Sequence, residues 1–166
     1  MNRTKWFWLI VAAQLVFLTA WAGYHEWLRQ TAPTILLQCR PVDPQDLVRG
    51  DYMILRYDIG DAEIPNAESG RDAWVLLEAR GRYFVVAQAS ATKLEPKPGQ
   101  FLVRGKVASS WRRNHAAQEI EYGIESYFVP EGRGSPHFKT LEVEAAVSAA
   151  HRLYIKRVLV DGVAYP

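Results

Sequence analysis

The chain has 166 residues and a formal net charge of +2, with 20 Lys and Arg against 18 Asp and Glu. That length fits one domain with a proper core plus an appendage rather than two domains. The interspersed, near-neutral charge offers no basic stripe and sets nucleic-acid binding aside. The single cysteine, Cys39, excludes an intramolecular disulfide.

Residues 6–24 form an apolar run whose one strongly polar member is Gln14. As a helix, about 19 residues cover about 28 Å, enough to span a bilayer. Trp6 and Trp8 lie at one end and Trp21, Tyr24 and Trp27 at the other, the placement of aromatic belts at two interfaces. Arg3 and Lys5 precede the run, so the positive-inside bias keeps the N-terminus in the cytoplasm and sends the body outward. The competing reading is a cleaved signal peptide, since Ala20, Trp21 and Ala22 before Gly23 fit a small-residue cleavage site. The expected organisation is an N-terminal anchor over 1–28, a linker over 29–33 and one β-domain over 34–166. Cys39 lies too far downstream for a lipoprotein cysteine and reads as a buried strand residue.

Strand signals follow the polar stretch 25–33. Residues 34–40 are the first, and 41–49, with Pro41, Asp43, Pro44 and Asp46, read as a tight irregular turn. From Gly50 the pattern acquires a period of two: Met53, Leu55, Tyr57 and Ile59 share the core face, and Tyr52, Ile54, Arg56 and Asp58 the other. Residues 60–72 read as an exposed loop. Residues 74–79 and 82–88 form a hairpin broken at Arg80 and Gly81. Residues 91–100 turn, 101–109 form a strand with Gly105 marking a bulge or a close contact, and 111–118 are a polar excursion. Residues 119–129 form a strand bent at Gly123, and 130–135 turn. Ser135 and Pro136 are placed as N-cap and first residue of a short helix carrying Phe138 and Leu141. Residues 143–149 and 153–161 are the last strands, the alanines leaving a helix open for the first. The expected fold is mainly β: an antiparallel sandwich or barrel of about eight or nine strands with at most one short helix, preceded by a single transmembrane helix.

Gly50, Asp51, Tyr52, Leu55 and Tyr57 match the positions that name the GDYXXLXY family of bacterial membrane-anchored proteins, which this chain resembles. Residues 122–132 are similar to the family's later glycine, glutamate and aromatic segment, and Asp161 with Gly162 resembles its closing DG. The resemblance implies a retained anchor in the bacterial inner membrane, a periplasmic domain, and a role as companion of multi-pass membrane proteins; it implies no chemistry.

Asp51 falls on the core side at the strand entry, where a carboxylate has to be hydrogen-bonded. Its structural reading is as acceptor of turn N–H groups; the functional one is as acid, base or ligand contact. Gly50 suits a turn that needs positive φ or close approach. Tyr52, Arg56, Glu125 and Tyr127 are the candidate contact residues. No serine sits in a nucleophile elbow or SxxK setting. His115 with Glu119, and His137 with Glu142 and Glu144, make no convincing metal spacing, so no catalytic residue, metal or cofactor is implied. The expected function is a non-enzymatic interaction or accessory module for another membrane or envelope protein. The alternative is an envelope small-ligand binder or hydrolase with Asp51, Glu125 and a histidine lining a pocket.

Overall fold

A computed structural model describes residues 3–40, 48–49, 52–65, 67–108, 118–128 and 139–165. The chain divides into two compact units, Met1–Ala32 and Pro33–Pro166. In the first, helix α1 runs over Arg3–Thr31, and its stretch Arg3–Trp27 is long and apolar enough to cross a membrane. The polar stretch 25–31, which includes the first part of the expected linker over 29–33, continues this helix. One turn apart, the Gln30 side-chain amide donates to Glu26 at 2.9 Å, and Pro33 sets the end by disfavouring helical backbone in the residue before it.

The second unit is built of antiparallel strands: β1 (Thr34–Cys39), β2 (Val48–Arg49), β3 (Tyr52–Ile54), β4 (Asp61–Ala62), β5 (Asp72–Arg80), β6 (Tyr83–Ser90), β7 (Gln100–Val107), β8 (Gln118–Glu121), β9 (Ser126–Phe128), β10 (Leu141–Val147), β11 (Leu153–Val160) and β12 (Val163–Tyr165). They form sheets of order β1-β10-β11-β12, β2-β3-β9 and β4-β8-β7-β5-β6. The mainly β, antiparallel expectation is met, with more and shorter strands than the apolar runs indicate.

One core is shared by the three sheets. Leu37 of β1, Leu55, Leu77 of β5, Val103 of β7, Val143 of β10 and Val158 of β11 have no solvent exposure, and burying each such side chain contributes about 1.5–3 kcal/mol. The hairpin of β5 and β6 turns at Gly81 and Arg82, with Arg80 opposite Tyr83. Gly81, at φ 65°, supplies the positive φ that the first residue of a type II′ turn requires. Asp161 and Gly162, at φ 50° and 80°, join β11 to β12 with the two positive φ angles of a type I′ turn.

Two expectations are corrected. Residues 60–72 are not wholly an exposed loop: β4 pairs with β8, and Ala62 and Ile64 are buried, because the 3-10 turn Asp58–Gly60 shifts the period of two by one residue and returns them to the core. The 143–149 run is the expected strand as far as Val147, with Ala145 and Ala146 packed inside. Leu141 opens β10 rather than closing a helix, and residues 135–138, expected to begin that helix, lie outside the described ones. The strand bent at Gly123 is divided there into β8 and β9, with Gly123 at φ 82°.

Gly105 is the close contact its position suggests. A Cβ at this point of β7 would lie 2.5 Å from Ile120 Cγ2 and 2.9 Å from the Glu121 carbonyl oxygen, so β8 crosses where only a glycine leaves room.

Candidate functional site

From Met53 to Ile59 the period of two holds residue by residue: Met53, Leu55, Tyr57 and Ile59 are buried, while Ile54, Arg56 and Asp58 are exposed. The backbone changes partner along the way. Tyr52 to Ile54 pair with β9, the Leu55 N–H donates to the Glu125 carbonyl at 2.7 Å, and the Arg40 N–H at the end of β1 donates to the Arg56 carbonyl at 2.7 Å. Tyr57 bridges Cys39 before a 3-10 turn, Asp58–Gly60. The stretch therefore sews the β2-β3-β9 sheet to the β1 sheet. Outside it, the Arg40 guanidinium holds both ends of the 3-10 turn through Asp58, at 3.0 Å, and Asp61.

Two buried tyrosine hydroxyls lock this junction. Tyr57 donates to the Ile124 carbonyl at 2.7 Å, and Tyr122 donates to the Ile59 carbonyl at 2.7 Å. The Glu125 carboxylate accepts the Tyr122 N–H at 2.5 Å and the Gly123 N–H at 2.9 Å, fixing the turn that carries both partners. Burial, with the neighbouring Cys39 and Glu125 charges, pushes the Tyr57 hydroxyl well above the ordinary tyrosine range, and burial beside Glu125 and Asp61 does the same to Tyr122. Both stay protonated donors at physiological pH, which suits a structural bond and not proton transfer. Cys39 is buried in the same region, its thiol pushed up to about 12 by burial and the charges of Asp58 and Glu142, so it is inert as a nucleophile.

The sequence-predicted residues are thus distributed. Gly50 and Asp51 lie outside the described residues, as do His115 and His137. Tyr52 sits in β3 opposite Phe128, its side chain outside what is described. Leu55 and Tyr57 are core. Glu125 is engaged by the turn. Tyr127 lies opposite Met53, partly buried against the core, and Arg56 is on the exposed face.

Two arrangements carry little sequence signal. Glu142, in β10, is 2% exposed; it accepts from Arg82 at 3.0 Å and from the Tyr83 hydroxyl, pinning the β5–β6 turn to the other sheet. Alternation with Leu141 and Val143 reads Glu142 as solvent-facing, and only the tertiary approach of the hairpin covers it. The second centres on Trp74. Lys93 Nζ lies 5.6 Å and the Arg104 guanidinium 5.8 Å from its ring centroid, and His151 meets it edge-on at 5.7 Å. Arg104 is paired to Asp72 at 2.7 Å. Beside this ring, an open groove of about 400 Å³ is lined by Ala67, Glu68, Arg71, Asp72, Trp74, Ala91 and Val107.

Neither the curated proteins nor the solved structures contain a match to this chain. A family model described as GDYXXLXY protein matches residues 14–162. That span takes in the motif strand, the turn at residues 122–125 that its tyrosine grips, and the closing type I′ turn at Asp161 and Gly162; the chain belongs to the GDYXXLXY family.

Proposed function

We propose that this protein is a membrane-anchored periplasmic β-domain of the bacterial inner membrane that works without catalysis, as an accessory module contacting a multi-pass membrane protein. The apolar stretch Arg3–Trp27 supports an anchor. Arg3 and Lys5 ahead of the apolar run favour a cytoplasmic N-terminus and an exported body. The observation that carries the contact role is the outer face of the motif strand pair. Ile54 is 38% and Phe128 56% exposed on adjacent strands, with the exposed Arg56 on the same face as Ile54. Apolar side chains beside a cation form the kind of patch a protein partner covers. Among the described residues, the inner face from Met53 to Ile59 is occupied by packing and by the two tyrosine bonds.

An anchor confines the domain to the bilayer surface, where a partner in the same membrane is met at high effective concentration. The test is affinity purification of the intact anchored protein from detergent extract. A multi-pass protein recovered at stoichiometric level, and lost with Ile54→Asp or Phe128→Asp while the domain stays folded, is the expected result. Recovery of the monomer alone would count against the role.

A further inference from the structure

We propose that the anchor helix pairs in parallel with the same helix of a second copy of this chain, through a reciprocal hydrogen bond between their Gln14 side chains. The inference rests on the reading of Arg3–Trp27 as a membrane span. Gln14 lies near the middle of the apolar run 6–24, with about 12 Å of helix between it and Trp6 and about 15 Å between it and Tyr24. The other polar side chain deep in the run is satisfied within the helix: the Thr19 hydroxyl donates to the Leu15 carbonyl one turn back at 2.8 Å. Gln14 has no such outlet. The side chains one turn away on its own helix are Ile10, Val11, Phe17 and Leu18, all apolar. Among the described residues none meets its amide, which stands exposed on the helix surface. Beyond the apolar run, by contrast, the Gln30 amide finds an acceptor in Glu26 at 2.9 Å. In hydrocarbon an amide without a partner is costly, since no water is there to replace the missing bonds.

A second copy is the occupant that fits this position. A primary amide carries an acceptor oxygen and two N–H donors, so two glutamines satisfy each other, each donating to the other's oxygen. Copies inserted with the same end inward hold residue 14 at the same depth, which brings amide to amide in register. The surface around Gln14 has the spacing that such a pair needs. Ile10, Gln14, Phe17 and Trp21 follow one another at steps of four, three and four, the heptad seam of a left-handed helix pair. Ala13 and Ala20 lie seven apart on the flank of that seam, where small side chains let two backbones approach. Each of these residues is exposed on the helix. Confinement to one membrane raises the effective concentration of the copies and favours their encounter.

The experiment is sedimentation equilibrium of the full chain in density-matched detergent micelles, with Gln14→Leu and Gln14→Asn as variants. The wild type should form a dimer whose population follows the protein-to-detergent ratio. Gln14→Leu suits the apolar run and leaves the β-domain untouched; it should weaken the dimer about 10-fold, the factor expected of one hydrogen bond between membrane helices. Gln14→Asn keeps the amide and should retain most of the affinity. Alkaline carbonate extraction of membranes from cells producing the wild type tests the anchor by itself. A chain that stays with the membranes and sediments as a monomer overturns the pairing and leaves the anchor standing, whereas a chain released into the soluble fraction overturns both. A Gln14→Leu dimer as tight as the wild type also overturns the pairing through Gln14.

Discussion

Removing one oxygen from the motif tests whether its closing tyrosine is architectural. Tyr57→Phe keeps the ring, 4% exposed in the wild type, and deletes the 2.7 Å bond to the Ile124 carbonyl. The buried ring area is unchanged, so the loss is the net hydrogen bond plus the cost of an acceptor left in a dry site, together about 1–3 kcal/mol. For a β-domain of this size that corresponds to a fall in Tm of about 4–10 °C. Tyr57→Ala removes the ring as well and should cost about 3–5 kcal/mol. Thermal and urea unfolding of the full chain in micelles, followed by circular dichroism, measure both. A Tyr57→Phe protein as stable as the wild type would refute the structural reading. If it also lost its partner, the hydroxyl would be a contact and not a lock.

Gly105→Ala should destabilise by about 1–3 kcal/mol through overpacking against Ile120 and the Glu121 carbonyl. Gly60→Ala, where a Cβ meets nothing within 4 Å, should stay within about 0.5 kcal/mol of wild type in the same unfolding assay. Stability should decline in alkali. The folded-state values of Cys39, Tyr57 and Tyr122 are all raised, so their contribution is fully present below the ordinary thiol value of 9.0 and is lost as pH rises, for Cys39 toward about 12. In urea unfolding across this range, Cys39→Ala should remove the part of the decline that begins near pH 9. Arg82→Ala should cost about 1–2 kcal/mol, since it strips an exposed cation from the buried Glu142 carboxylate. A double-mutant cycle with Tyr83→Phe should show coupling between the two.

The period of two in residues 53–59 is legible because one face meets the core and the other meets solvent, and each side chain reports its face. The hairpin at Gly81 is legible for a related reason: a two-residue turn that needs positive φ selects glycine locally. What escapes is set by tertiary approach. Glu142 looks like a solvent-facing member of an alternating strand until the β5–β6 turn folds over it. Trp74 gains its surroundings only when Arg104 is registered against it across β5 and β7, and when the β10–β11 turn brings His151 from some 80 residues away in sequence. Part of the expected linker is helical, because side-chain polarity is a weak guide to helix ends. The first unit stays helical to Thr31, and the stop is Pro33. Glu125 is one of the candidate contact residues. Its carboxylate accepts two turn amides, a role invisible without knowing that Gly123 reverses the chain just before it.

The central claim is that the motif strand faces inward to hold the fold and outward to meet a membrane protein. Site-specific photocross-linking in intact cells tests it most directly, with the cross-linker placed in turn at Ile54, Arg56 and Phe128, and at Val163, which is 70% exposed on β12, as the control. The account predicts one discrete adduct with a multi-pass membrane protein from the first three positions and none from Val163. Equal labelling from all four positions, or no adduct from the motif strand pair, would contradict it.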